Sequence, residues 1–227
     1  MKKLHKKILS LWTGIITILL IVFISSISFS MDAPPVKNMN INQSILKGIG
    51  LYDKGSYEEA LKYFMRLDKS NPGNGHLLYE IANTYYALED YKRALKFAEN
   101  ARDVLPGIDK IYVLLGNIYD NLNNPEEAIK QYKEAVQINP ENDSAYFNLG
   151  VFYYNSGKYA EAEKALNTSL DINGKNPSTY FILGYVYAKL NETELTKNTF
   201  RKFLSLEKEG ERSEKVRSVL KTFLKAI

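Results

Sequence analysis

The chain has 227 residues, of which 45% are hydrophobic and 25% charged, as in ordinary globular proteins. It has no cysteine and two histidines, which excludes disulfides and thiolate metal sites and argues against a histidine metal site. Four lysines in the first seven residues supply the net charge of +4, and residues 32–227 carry 26 basic and 26 acidic side chains. Because nucleic-acid-binding domains usually have a basic face, no nucleic-acid partner is predicted.

The first 31 residues have the pattern of an export signal. Four lysines precede an uncharged, mostly apolar run that reaches Met31 and ends in small residues. This pattern predicts a cleaved signal peptide, but the run is also long enough for a transmembrane anchor helix over about residues 8–29. Both alternatives remain open, and both place the rest of the chain, anchored or soluble, on the periplasmic or extracytoplasmic side of a membrane. Residues 32–40 are predicted to be a linker.

From residue 41 onward the sequence repeats with a period of 34 residues, which indicates stacked structural repeats. The blocks follow one another without insertion or deletion: 41–74, 75–108, 109–142, 143–176 and 177–210. The eighth position is always small: Gly48, Ala82, Gly116, Gly150 and Gly184. Since glycine within a helix costs about 1 kcal/mol relative to alanine, this position is predicted to be a close contact.

Each block is predicted to form a pair of helices, A (positions 1–14) and B (positions 17–30). Positions 4, 7, 8 and 11 share one helical face, and positions 20, 24 and 27 share another. Turn residues such as Asn123 and Asn124 separate the two segments, and a proline at position 32 ends the second helix in the first three blocks. Small residues at positions 8 and 20 are predicted to let A and B approach each other, and aromatic residues fill the gaps beside them.

This pattern resembles the tetratricopeptide repeat (TPR) family. The fourth block shows the motif best, with Tyr146, Leu149, Gly150, Tyr153, Ala162 and Leu166. The resemblance implies an all-α fold: a right-handed superhelical solenoid of five TPR helix-turn-helix repeats plus a C-terminal capping helix. Residues 211–227 are predicted to be that helix, with one apolar face over the last repeat: Val216, Val219, Leu220, Phe223 and Leu224.

Two blocks depart from the motif. The first has Ser44 and Lys47 where apolar residues are expected, so its helix A is predicted to be a solvated end. The fifth has Lys208 in place of the proline, so its second helix is predicted to run on or to bend differently.

The resemblance also implies where a ligand binds. In TPR arrays helix A lines the concave surface, mainly through positions 2, 5, 9, 12 and 13, and these positions here are rich in aromatic and amide side chains. The predicted peptide-binding groove consists of Tyr79, Asn83, Tyr86, Asn117, Phe147, Val151, Tyr154, Phe181 and Tyr185. Asn83 and Asn117 are expected to offer both a donor and an acceptor to a ligand backbone. The alternative is that some of these rings pack between neighbouring helices.

A chaperone-tail carboxylate clamp, known from one TPR subclass, is not predicted. Asn117 and Asn148 match its asparagine positions, but Val113, Ser178 and Ile182 stand where that subclass has cationic residues. Without positive charge, a ligand carboxylate has little to bind.

The sequence contains no nucleophile elbow, P-loop, zinc-protease or dinucleotide-binding motif, so neither an enzyme nor a cofactor is expected. The leading hypothesis is a protein- or peptide-binding scaffold, an adaptor in a cell-envelope assembly, that contacts the membrane through its N-terminal segment if this is uncleaved. The alternatives are a self-associating structural protein, hence a homo-oligomer, and a regulatory subunit of a separately encoded enzyme.

Overall fold

The computed structural model describes residues 40–225, except for the side chains of residues 223–225. The predicted signal peptide or anchor, and the linker as far as residue 39, lie outside these residues. The described part consists of helices and short connections: α1 (Ile41–Tyr52), α2 (Tyr57–Ser70), α3 (Gly75–Ala87), α4 (Tyr91–Val104), α5 (Asp109–Asn121), α6 (Pro125–Ile138), α7 (Asp143–Asn155), α8 (Tyr159–Ile172), α9 (Pro177–Lys189), α10 (Thr193–Leu206) and α11 (Glu211–Lys225). Within residues 40–225, no helix combines the length and the apolar character that crossing a bilayer requires.

The chain divides into two compact units, residues 1–43 and 44–227. Only four residues of the first unit are described, so the packing below concerns the second. From α3 to α9, each odd-numbered helix packs against the even-numbered helix that follows it, and α3 and α5, like α7 and α9, also touch each other. The predicted all-α stack of helix pairs is confirmed. Helix α11 begins at Glu211, 34 residues after Pro177 begins α9, so it takes the place of helix A in a sixth repeat.

The small residue at position 8 accommodates the side chain at position 24 of the same repeat. A β-carbon added to Gly150 would lie 2.5 Å from Cγ of Leu166, and the same addition at Gly48, Gly116 or Gly184 would collide with an aromatic ring. These rings belong to Phe64, Tyr132 and Phe200, in that order. The second repeat has alanine at both positions, Ala82 and Ala98, and both are fully buried. In the other four repeats, position 8 is therefore glycine because position 24 is large.

Every turn between helices A and B has a left-handed residue at position 15. The residues at this position, with their positive φ values, are Gly55 (76°), Glu89 (59°), Asn123 (57°), Gly157 (73°) and Asn191 (63°). Glycine adopts this conformation without a steric penalty, and asparagine tolerates it. Glu89 is the one residue of these five that is neither glycine nor asparagine.

Replacing Glu89 with glycine is expected to stabilise the protein by about 0.5–1 kcal/mol, because it removes the left-handed penalty at a turn the fold requires. The reciprocal change, Gly157→Glu, is expected to destabilise it by about 1 kcal/mol. Urea denaturation of both variants measures the two effects. A loss of stability in Glu89→Gly would contradict the assignment of this turn.

Two alternatives were predicted for the second helix of the fifth repeat, and the one in which it runs on is wrong. Helix α10 ends at Leu206, which is position 30, the same position at which the B helices of the other repeats end. Two contacts hold the chain at this point: Arg212 forms an ion pair with Glu207, and the Ser213 hydroxyl donates to the Glu207 carbonyl at 2.9 Å. Gly210 then adopts a φ of 106°. The missing proline is thus replaced by contacts from α11.

The two ends of the array differ from each other. At the first repeat, Lys47 is exposed as predicted, with its ammonium 5.7 Å from the ring centre of Tyr63, but the Ser44 side chain is buried. At the other end, Val216 of α11 is buried in a cluster that also contains Phe200 and Phe203, and two further apolar residues, Val219 and Leu220, pack against it. The Phe223 and Leu224 side chains, predicted for the same face, lie outside the described residues.

Candidate functional site

A cavity of about 390 Å³ opens between α3, α5 and the start of α7. Its lining combines tyrosine, asparagine and charged side chains: Tyr79, Asn83, Tyr86, Asp109, Lys110, Val113, Leu114, Asn117, Asn139, Glu141, Asn142, Asp143 and Ser144. Four of the nine predicted groove residues thus come together in one place, namely Tyr79, Asn83, Tyr86 and Asn117. The connection from α6 to α7, which forms one wall, was not part of the predicted groove.

Asn117 is the centre of a hydrogen-bond network between neighbouring repeats. Its side-chain oxygen accepts from the Tyr132 hydroxyl at 2.8 Å and from the Asn148 amide at 3.0 Å. The Asn121 side-chain amide donates to the backbone carbonyl of Asn117 at 2.9 Å and to the Tyr86 hydroxyl oxygen at 3.1 Å. The side-chain oxygen of Asn117 is therefore engaged within the protein, while its N–H groups and the Tyr86 hydroxyl proton remain as donors toward the cavity.

The tyrosines at position 12 form ring pairs that the sequence did not predict. Tyr86 packs on Tyr91 with ring centres 5.6 Å apart, and Tyr154 packs on Tyr159 at 5.8 Å. A third pair joins Tyr52 and Tyr57 at 5.1 Å. In each pair the second ring is the first residue of the following B helix, so these groove tyrosines also hold the turn between A and B.

The other predicted groove rings take part in packing within the last two repeats. Phe147 and Tyr154 pack against the buried cluster that includes Leu166 and Leu183, and Val151 is half-buried on the same helix, α7.

In the fifth repeat, the ring centres of Phe181 and Tyr185 are 5.1 Å apart. The guanidinium of Arg212 lies 5.5 Å from the Phe181 ring centre, and the ammonium of Lys215 lies 5.8 Å from that of Tyr185. This end of the groove is thus an aromatic surface partly covered by cationic side chains of α11.

Sequence reasoning missed an ionisable group next to the cavity, Glu80, which follows the lining residue Tyr79 but is not itself part of the lining. It is half-buried on α3 beside Tyr79. Burial raises the pKa of Glu80 to about 7, the nearby Asp53 carboxylate adds to the rise, and Lys110 opposes it. Position 6 is apolar in three other repeats, as Leu46, Leu114 and Ile182, so a glutamate there is a signal that could have found it.

Two groups in the cavity wall, Tyr79 and Asp109, have shifted pKa values. Burial raises the pKa of Tyr79 to about 12, and the neighbouring Glu80 adds to this, so the phenol stays protonated and can donate a hydrogen bond. For Asp109, partial burial alone would raise the pKa, but hydrogen bonds from Asn139 and Asn142, both at 2.7 Å, hold the pKa below its usual value. Asp109 is therefore an ionised, internally bonded part of the wall.

Comparison with known families identifies the repeat. Models described as tetratricopeptide repeat match residues 51–109, 144–176 and 177–209, and one described as TPR repeat matches residues 116–157. All four describe a repeat unit, and none describes a catalytic domain. No curated protein matches the chain in sequence.

Solved structures share the fold at low sequence identity. PilW, described as a widely conserved type IV pilus biogenesis factor, has a TM-score of 0.71 and 20% identity over 81% of this chain and 87% of its own. TTC0263, a thermophilic TPR protein of Thermus thermophilus, has a TM-score of 0.66 and 22% identity over 82% and 99%. YrrB, described as a TPR protein with an unusual peptide-binding site, has a TM-score of 0.60 and 19% identity over 79% and 92%.

At these identities the structural likeness shows the fold alone. The family matches add the repeat motif itself, and they extend across four of the five helix pairs and into the first. The chain therefore belongs to the tetratricopeptide repeat family.

Proposed function

We propose that this chain is a non-enzymatic scaffold that binds a protein or peptide along the face formed by its A helices. The observation that carries the proposal is the cavity of about 390 Å³, in which tyrosine and asparagine side chains from two neighbouring A helices converge. Two proteins of similar fold fit this role by their descriptions, YrrB with a peptide-binding site and PilW in pilus biogenesis.

The lining suits an extended or helical segment of a partner chain. Tyrosine rings offer a large contact area at a low cost in side-chain entropy, which is why they are frequent at binding hot spots. The Asn83 and Asn117 side chains and the Tyr79 hydroxyl can hydrogen-bond to peptide groups of the ligand. Together they can hold a backbone without requiring one particular sequence.

We further propose that the repeats act on the exported side of a membrane, as an adaptor in a cell-envelope assembly. The support is the pattern of residues 1–31, four lysines followed by a long uncharged run.

Alkaline phosphatase fused after residue 40 tests the export step, because this enzyme becomes active only after leaving the cytoplasm. We expect an active fusion, and an inactive one when Leu19 and Leu20 are both changed to lysine. An inactive wild-type fusion would overturn the proposed location.

Affinity capture with the full chain tests binding at the groove. The groove variant carries Tyr79→Ala and Asn83→Ala, and the control carries Lys96→Ala and Asn100→Ala, two exposed positions on α4 of the same repeat. We expect the control to retain the partners of the wild type and the groove variant to lose them, with both variants folded by circular dichroism. Identical partners on all three baits would overturn the assignment of the groove.

A further inference from the structure

The charge of the groove changes along the array. At positions 2, 5, 9, 12 and 13, the charged residues of the first three repeats are two carboxylates, Asp53 and Asp120, and one lysine, Lys110. The same positions of the fourth and fifth repeats and of α11 contain no acidic residue and three cationic ones: Lys189, Arg212 and Lys215. An acidic segment of a ligand is therefore attracted to the end formed by α9 and α11, and a basic segment is repelled from it.

Two rings of α9 and two cations of α11 form one accessible surface at this end, the α9–α11 surface: Phe181, Tyr185, Arg212 and Lys215. None of the four side chains is fully buried. The face of an aromatic ring is its negative side, and the edge is its positive side. Since each ring already has a cation over its face, what remains for a ligand is positive ring edges and N–H donors, which suit an anion.

The two cations are held differently. Arg212 forms an ion pair with Glu207 and also donates to the Ser178 hydroxyl at 3.1 Å, so its guanidinium is fixed and its charge is largely balanced. Lys215 is exposed and forms no ion pair with any side chain among residues 40–222. The charge available to a ligand therefore comes chiefly from Lys215.

The other acidic residues of α11 lie outside the groove positions. Glu211 and Glu214 are exposed at positions 1 and 4. In the fifth repeat, position 4 is Tyr180, which packs against Phe200 and Phe203 of its own B helix. Glu214 thus lies on the side of α11 where a B helix would follow, and Lys215 keeps its charge toward the groove.

One polar atom of the α9–α11 surface lacks a partner. The Tyr185 hydroxyl oxygen is buried and forms no hydrogen bond with any group among residues 40–222. Because buried polar atoms are nearly always hydrogen-bonded, an unpaired hydroxyl in a groove calls for an explanation. A ligand acceptor beside Lys215 supplies one.

We propose, resting on the peptide-binding function above, that the α9–α11 surface binds an aspartate or glutamate side chain of the bound peptide. The Lys215 ammonium pairs with the carboxylate, and Arg212 donates one of the two N–H groups that Glu207 and Ser178 leave unused. The Tyr185 hydroxyl bonds to the same carboxylate. The cations come from α11 and the carboxylate from a side chain, so the site differs from the chaperone-tail clamp, whose cationic positions lie in the third and fifth repeats.

Defined peptide mixtures test the proposal on the full chain in detergent micelles. Four nonapeptide pools have glutamate, aspartate, glutamine or lysine at the centre and mixed uncharged residues elsewhere. Both peptide ends are blocked and the fluorophore is uncharged, so that the central side chain carries the only charge. Fluorescence anisotropy gives the affinity for each pool. The variants are Lys215→Gln, which removes the cation of the site, and Lys221→Gln, which removes an exposed cation of α11 outside the groove positions.

We expect the glutamate and aspartate pools to bind the wild type about tenfold more tightly than the glutamine pool, as one charge-assisted contact allows. The lysine pool is expected to bind no better than the glutamine pool. Lys215→Gln is expected to lose most of the acidic preference while it binds the glutamine pool as the wild type does, and Lys221→Gln is expected to keep it. Raising the salt concentration from about 0.05 M to about 0.5 M is expected to weaken the preference in the wild type.

The outcomes separate this inference from the function on which it rests. If the acidic and glutamine pools bind alike, or the lysine pool binds best, the anion site is refuted and the peptide-binding groove stands. If the acidic preference persists in Lys215→Gln, or falls equally in Lys221→Gln, the α9–α11 surface is not responsible and the inference fails. If no pool binds, the inference and the peptide-binding function both fail.

Discussion

Replacing Gly184 with alanine is expected to destabilise the protein by about 2 kcal/mol, although alanine is the better helix former. The added β-carbon would lie within 2.9 Å of three atoms of the Phe200 ring, which is completely buried. Overpacking a tight core site typically costs about 1–3 kcal/mol. Chemical denaturation of the variant and the wild type gives the difference directly.

Gly50 is the matched control because it lies in helix α1 and has no atom near its missing β-carbon. Gly50→Ala is expected to stabilise the protein by about 0.5–1 kcal/mol through helix propensity alone. In a Phe200→Ala background, Gly184→Ala recreates the alanine pair of the second repeat, so its penalty is expected to vanish. Equal effects of the two glycine substitutions, or a penalty that survives Phe200→Ala, would contradict the proposed contact.

The Glu80→Gln substitution is expected to change how stability depends on pH. The native pKa of about 7 lies above the ordinary value of 4.5, so the folded state holds the proton more tightly than the unfolded state does. This contribution to stability is complete below pH 4.5 and is lost as the pH rises through 7. The free energy of unfolding of the variant minus that of the wild type is therefore expected to rise by about 1–3 kcal/mol when the pH is raised from 4 to 8.

Urea unfolding at pH 4 and at pH 8 measures this change. Glu126→Gln provides the control, and its difference from the wild type is expected to stay within about 0.5 kcal/mol at both pH values. If the difference between Glu80→Gln and the wild type is the same at pH 4 and pH 8, the raised pKa of Glu80 is wrong. The gain at high pH would also mean that the natural sequence keeps a destabilising carboxylate next to the cavity residue Tyr79.

The 34-residue phase was sufficient to predict the helix pairs, because the residues that pack A against B lie within one repeat. The partner of position 8 was less obvious. The sequence indicated a general close approach of the two helices, whereas the structure shows one particular neighbour, as in Gly150 against Leu166. The large residue at position 24 and the glycine at position 8 are 16 residues apart, and only the packed pair shows that they fill one space.

The groove was harder to predict, because its residues meet side chains from other repeats and from α11. The position of Phe181 within the 34-residue repeat predicts that it lies on the concave face, but it does not reveal that Arg212 lies over its ring. The repeat position likewise identifies Asn117 as a groove residue. It does not predict the hydrogen bonds from Tyr132 and Asn148 to the side-chain oxygen of Asn117. Glu80 was missed because position 6 lay outside the positions taken to face a ligand.

Photocrosslinking from single positions tests the central claim, that the A-helix face binds the partner. The full chain carries p-benzoylphenylalanine in place of Tyr79 on α3 or in place of Lys130, which is exposed on α6. The proposed groove predicts a crosslinked partner band from position 79, none from position 130, and loss of the band in Asn83→Ala. Crosslinks of equal yield from both positions, or a band from position 130 alone, would contradict it, and a band at twice the mass of the chain would identify the partner as a second copy.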